Sequence, residues 1–243
     1  GHPAGPALIP VIVALLLSFD TATPHLAVVL SRDGTPVAWR TDATPALSHA
    51  EQINVFIAEV LAEASLFLTA VDAVAVGTGP GSYTGLRIGL SAAKGLCFAM
   101  DKPLIGMGTM DILVAQLLQD GEPPAGPQLM PMVDARRLEV YTRGYGPGGD
   151  PLGETAPLIL DEAWCEARRN TGPVTVFGDG ADKAVHLWQA CPWITHVPGI
   201  RPGVAGLARS ADRYFQSGLF ADLAYLVPAY GKPANVAPQR GKE

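Results

Sequence analysis

The sequence predicts a duplicated α/β architecture: two halves, 13–119 and 120–243, each running βββαβα. Three observations predict it. Continuous apolar runs such as "LLLSF" mark strands covered on both faces. Three strands precede the first helical period, whereas a doubly wound sheet alternates strand and helix from the start. The same order then returns, with "VFGDGA" standing in the second half where "VGTGPG" stands in the first. Two ribonuclease-H-like halves in this order make the actin/hexokinase/Hsp70-like (ASKHA) architecture.

The elements follow in turn. After "LLLSF" come "LAVVL" (26–30), an Arg32-Asp33-Gly34 hairpin turn and "PVAWR". Ile53, Ile57, Val60, Leu61, Ala64 and Phe67-Leu68 recur at helical spacing, predicting a helix over 48–68 with Ser48 as N-cap and Glu51 as its capping-box partner. "AVDAVAVG" is a strand, Gly85–Met100 a helix, "PLIGM" a short strand, and another helix starts near Thr109. "DGEPPAGP" (120–127) is the linker. Beyond it "LMPMVDA" and "LEVYTRGY" are strands, "GPGGDP" a loop tip, "APLIL" a third strand, and a helix runs through Trp164. "PVTVFGDGA" is a strand with a glycine corner. Helices near 182–190 and 204–215 close the chain, the last packing back on the first half.

Gly1-His2 reads as a tag scar, and 1–12 as a tag or extension. "ALIPVIVALLLSF" (7–19) is too short to span a bilayer, contains Pro10, and has no Lys or Arg before Arg32. The expectation is a cytoplasmic protein with no membrane segment.

Composition narrows the function classes. Charged residues make up 16% of the chain, well under the usual quarter, which fits a surface covered by another protein or a compact Ala- and Gly-rich one. Net charge is −6 and the basic residues are scattered, so this chain is not expected to grip nucleic acid by itself. Three distant cysteines form no CxxC pair. The five histidines lack metal-ligand spacing, and no GxSxG elbow is present. No catalytic residue and no metal are expected. Ser82 reads as a helix-start residue and Cys97 as a core residue.

Two features remain. "FDTATPH" (19–25) ends a strand in Asp20-Thr21, the way actin-like ATPases open a phosphate loop; it reads equally as a strand-capping turn. Asp20, Thr21, Gly178 and Gly180 are thus the candidates for ATP or ADP contact, the glycines alternatively meeting backbone needs. The helix after "GTGPGSYTG" carries Gly85, Gly89, Ala92 and Ala93 on one face and Gly95 beside it. Interior glycine costs about 1 kcal/mol against Ala, and close approach of another backbone, from this chain or a second molecule, is the compensation expected.

"LLLSFDTATPHLAVVL", "SHAEQINVFIAEVL", "AVAVGTGPGSYTGLRIGLSAAKGL", "KPLIGMGTMDIL" and "PMVDARRLEVYTRGY" occur in this order. Together they resemble the TsaB (YeaZ) family of bacterial tRNA threonylcarbamoyladenosine synthesis, from about Leu15 to "YLVPAYGKPANVA". Leu138 stands where the "DARRxEVY" motif usually has Gly. The resemblance implies a pseudoenzyme partner of the transferase TsaD, whose two metal-binding histidines would align with Thr109 and Leu113. It implies a TsaE-type ATPase as a further partner, and a homodimer when alone. It places the partner surface on the first half's two helices: His49, Glu51, Gln52, Ile53, Phe56 and Ile57 on one, and Gly85, Leu86, Gly89, Leu90, Ala92 and Ala93 on the other. The rivals are an actin-like ATP-binding enzyme and a glycoprotease-like peptidase.

Overall fold

Burial separates the strands of the first half before pairing is considered. In the computed structural model, which describes residues 13–43, 49–120 and 128–231, every position of β1 (Leu15–Asp20) is buried, as are Leu26–Ser31 of β2 (Leu26–Arg32). Strands buried on both faces belong in the middle of a layered sheet. β3 (Thr35–Asp42), mostly exposed, takes an edge, and β4 (Ala73–Gly79) and β5 (Leu104–Gly108) complete the order β3-β2-β1-β4-β5. β1 pairs antiparallel with β2 and parallel with β4.

The second half repeats this arrangement. β6 (Gln128–Asp134), β7 (Glu139–Tyr145), β8 (Pro151–Ile159), β9 (Val174–Phe177) and β10 (Ile194–Val197) form a sheet ordered β10-β9-β6-β7-β8. β6 pairs antiparallel with β7 and parallel with β9, as β1 does with β2 and β4. The duplicated βββαβα class is therefore what the chain adopts.

Helices cover both faces of the first sheet. α1 (His49–Glu63) and α2 (Tyr83–Met100) bury Ile53, Ile57, Leu90 and Cys97 against Leu17, Phe19 and Val76. On the opposite face α3 (Thr109–Leu117) and α7 (Val204–Gln216) bury Ile112, Leu207 and Ala211 against Leu16, Ala27 and Ile105. α3 also sends Met110, Leu113 and Val114 into a cluster with Leu129, Tyr145 and Phe177 of the second half. Short helices α4 (Glu162–Arg168), α5 (Asp179–Asp182) and α6 (Val185–Trp188) complete that half. After α7 the chain runs back as a strap over the first half. Ala221 N–H donates to Leu104 O (2.8 Å) on edge strand β5, Ala229 N–H to Thr78 O (2.7 Å), and Tyr230 stacks on Tyr83 at 4.6 Å.

Several boundaries differ from the sequence expectations. α1 stops at Glu63 rather than 68: Ser65 takes φ 54°, Phe67 is extended, and Leu68–Ala70 is a separate 3-10 turn. α2 starts at Tyr83, because the Ser82 side chain caps it by accepting from Gly85 N–H (3.2 Å). β8 begins at Pro151 and leaves Leu160 outside. Of the helix expected over 182–190 only the one-turn α6 forms, α5 ending at Asp182 before it, and β10 is an element beyond the sequence expectations. Ser48, the linker at 121–127, the extension at 1–12 and the C-terminal "KPANVA" lie outside the described residues. Among the described residues no helix is long and apolar enough to cross a membrane.

Candidate functional site

The loop after β1 is closed by its own chain. Asp20 and Thr21 are wholly buried, and Ala22 and Thr23 nearly so. The Ala22 N–H donates to Asp20 Oδ1 (3.0 Å), Thr21 Oγ1 donates to Gly85 O (2.7 Å), and Ser82 N–H donates to Ala22 O (2.7 Å). The start of α2 is thus stitched onto the loop. This contact is what the glycines serve. A Cβ on Gly81 would collide with the Ala22 carbonyl, one on Gly85 with the Thr21 carbonyl, and one on Gly89 with the Thr21 hydroxyl. The close neighbour that the glycine-rich helix face required is the Asp20–Thr23 loop.

Asp20 is electrostatically unusual. Its Oδ2 is buried without a hydrogen-bond partner, lying where a Cβ of Gly77 would be. Burial pushes its pKa up to about 7; the Ala22 N–H works against this and the Asp179 carboxylate adds to it. The Thr21 hydroxyl is committed to the Gly85 carbonyl.

The equivalent corner of the second half is also internal. Gly178 (φ 102°) and Gly180 are buried, and a Cβ on either would run into the β6 backbone at Met132 or Val133. Asp179 Oδ1 accepts from Asp134 N–H (3.0 Å), and Lys183 Nζ bonds Asp134 and the Glu139 carbonyl. Burial raises the Asp179 pKa, partly offset by the Asp134 N–H and Arg201. The four candidate nucleotide residues lie after β1 and β9, and all four are buried in the ligand-free chain. Leu138 fits its turn because the positive φ values fall on Arg136 and Arg137 instead.

Thr109 and Leu113, one helical turn apart at the start of α3, are both buried, Leu113 in the cluster shared with the second sheet. Neither supplies an imidazole. Among the described residues no group of three or more His, Cys, Asp or Glu is placed to hold a metal ion.

The residues expected to form a partner surface divide by face. On α1, Glu51 is exposed and Gln52 and Phe56 are half-buried, Gln52 donating to Asp42 Oδ2 (2.6 Å); Ile53 and Ile57 are core. Of His49 only the backbone, opening α1, is described. On α2, Gly85, Leu86, Gly89, Leu90 and Ala93 are buried inside the chain, and Ala92 is half-buried. Within the single chain the small-residue face points inward, the same-chain alternative of the two that the sequence leaves open. The outward faces carry other residues, Asn54, Val55 and Ala58 on α1 and Thr84, Arg87, Ser91, Gly95 and Phe98 on α2. Phe98 is 81% exposed and Val55 52%. Periodicity assigned residues to faces, but an apolar Phe98 far outside the core was the signal that could have marked the open one.

Two like-ordered sheets, each with a glycine corner after its fourth strand, define a protein of the actin/hexokinase-like class. An activator of 2-hydroxyisocaproyl-CoA dehydratase from Clostridium difficile shares this fold at TM-score 0.50 and 9% identity, over 86% of this chain and 96% of that one. A family model described as "TsaD: tRNA N6-adenosine threonylcarbamoyltransferase" matches residues 44–173. The tRNA threonylcarbamoyladenosine biosynthesis protein TsaB of Escherichia coli is 33% identical over 227 residues, covering 88% of this chain and 93% of that protein. A Pseudomonas aeruginosa structure, described as similar to peptidase YEAZ, superposes with TM-score 0.74 at 25% identity, over 90% of this chain and all of that one. The chain belongs to the TsaB (YeaZ) family.

Proposed function

We propose that this protein is a non-catalytic subunit of tRNA N6-threonylcarbamoyladenosine synthesis, which binds a TsaD-type transferase through the outward faces of α1 and α2. The single observation that carries this reading is the closed Asp20–Thr23 loop: the place where an actin-like enzyme would present its phosphate is occupied by the start of α2. Chemistry then falls to the partner, and this chain acts by preferring one state of it. The buried Thr109 and Leu113, neither of which carries an imidazole, support the same division of labour. On this reading the protein works in the cytoplasm and pairs with a second copy of itself through the same helices when the transferase is absent. The complex presents the docking surface for a TsaE-type ATPase, and tRNA is held mainly by the partner.

Reconstitution of tRNA modification from the source organism's transferase, ATPase and adenylate-forming synthase tests the proposal. Leaving this chain out is expected to reduce modified adenosine at least about tenfold, and adding it back restores the yield. Full modification without it would refute the proposal. Dose-dependent cleavage of a glycosylated substrate by this chain alone would favour a peptidase, and tight Mg-ATP binding by calorimetry an actin-like ATPase.

A further inference from the structure

Beside the α1–α2 surface, the strap and α2 flank an open recess of about 190 Å³. Arg87, Ser91 and Lys94 line it from successive turns of α2, over Leu90. Leu226, Val227, Pro228 and Tyr230 line it from the strap. Arg87 is held in place. Its guanidinium lies 5.4 Å from the Tyr83 ring centroid and donates to Tyr83 Oη (3.2 Å), while Tyr83 is stacked on Tyr230. Lys94 Nζ makes one long bond, 3.4 Å, to the Ala224 carbonyl. Among the described residues neither cation pairs with a carboxylate. Two uncompensated cations over an apolar floor are conspicuous on a chain of net charge −6.

We propose that this recess is the charged anchor of the partner interface and receives an Asp or Glu side chain of the transferase, seated between Arg87 and Lys94. The inference rests on the reading that α1 and α2 bind that partner. Size suits a side chain: the open recess, about 190 Å³, is smaller than the ~300 Å³ from which small-molecule and cofactor sites run. Charge argues for protein over RNA. Nucleic acid needs an extended run of cations to displace counterions, and here there are two in a chain that is acidic as a whole. Position argues for this interface, because Phe98, one turn beyond Lys94 on α2, is 81% exposed. An acid entering the recess would bring its neighbours over that ring. A charge pair at such a rim acts on encounter rate and specificity and weakens with salt.

The test compares the full chain with Arg87→Glu/Lys94→Glu and Arg87→Gln/Lys94→Gln in titrations against the purified transferase at about 50 and 300 mM salt. The neutral pair is expected to weaken binding about tenfold at low salt and flatten the salt dependence; the reversed pair weakens it about a hundredfold. An Asp or Glu to Lys change on the transferase is expected to recover binding to the reversed pair. Unaltered unfolding midpoints keep a loosened strap from imitating the effect; should the reversed pair unfold early, the neutral pair carries the comparison. Failure of the wild-type chain to bind the transferase would sink the functional proposal itself. Wild-type binding that both pairs retain, with the same salt slope, overturns only the anchor. Loss of tRNA binding by the isolated chain, with transferase binding intact, would assign the recess to RNA phosphate and overturn it too. Loss of self-association alone would assign the recess to a second copy of this chain and would likewise overturn the anchor.

Discussion

Gly89 and Gly95 share one helix and meet opposite surroundings. Gly89 is buried against Thr21, whereas nothing lies within 4 Å of a Cβ placed on Gly95. Gly89→Ala is therefore expected to cost about 1–3 kcal/mol by overpacking. Gly95→Ala is expected to gain about 0.5–1 kcal/mol from helix propensity. Urea denaturation of both variants decides it; equal stabilities would mean that the Thr21 loop is free to move aside. For the same reason a change at Gly89 does not probe the partner surface cleanly, and Phe98→Glu does: its fold is expected to hold while transferase binding falls, read by size-exclusion chromatography. Asp20 adds a pH dependence. Its folded pKa, about 7, exceeds the ordinary value near 4, so between these limits the native state holds a proton that the unfolded chain has lost. Stability then falls as pH rises through that window and levels above it, by roughly 3–5 kcal/mol. Asp20→Asn keeps an oxygen for the Ala22 N–H and removes the charge. Urea midpoints are expected to drop between pH 5 and 8 in the parent protein and much less in the variant. Equal slopes in the two proteins would show that the Asp20 charge is compensated.

At the scale of elements, long periodic segments were legible and short ones were not. β1, β2, β4, α1 and α2 announce themselves through runs or spacings that burial alone enforces. β10 has four residues between Trp193 and Pro198, too few for a period, and is a strand because β9 offers it a parallel edge. α5 and α6 have four residues each and owe their form to Gly178 and to packing. The candidate site shows the same division. Spacing put Gly85, Gly89 and Ala93 on one face, but the direction of that face depends on the Asp20–Thr23 loop, which is distant in sequence. The α3–α7 clasp was equally hidden. Asp111, Tyr145 and Tyr214 come from three elements, and both tyrosine hydroxyls donate to one carboxylate, at 2.9 and 2.7 Å. Burial, reinforced by the Asp111 charge, raises both tyrosine pKa values, that of Tyr214 to about 12. Tyr214→Phe is expected to cost about 1 kcal/mol, and Asp111→Ala about 2–4 kcal/mol because it strands one buried and one half-buried donor. Urea denaturation measures both; equal losses would mean that the hydroxyls find other acceptors.

At the scale of the whole molecule, that clasp determines whether the two halves behave as one. The chain leaves the first half at the 120–127 linker and returns to it at α7, and the strap that follows stays on that half. α3 contributes to a core cluster on each side, and α7 lies on the sheet of the half that precedes it. Such sharing ties the stability of either sheet to helices the other half also needs, so the two are expected to unfold together. The tryptophans make this measurable. Trp164, Trp188 and Trp193 lie in the second half, and Trp39, on edge strand β3, is 48% exposed. Fluorescence therefore reports mainly on the second half, while far-UV circular dichroism reports on both. In urea the two signals are expected to trace one transition in the parent protein. In Asp111→Ala they are expected to separate, because the carboxylate joining α3, β7 and α7 is gone while each sheet keeps its own strands. Coincident curves in that variant would mean that apolar packing of α3 and α7 alone couples the halves, and separate curves in the parent protein would mean that the halves fold independently.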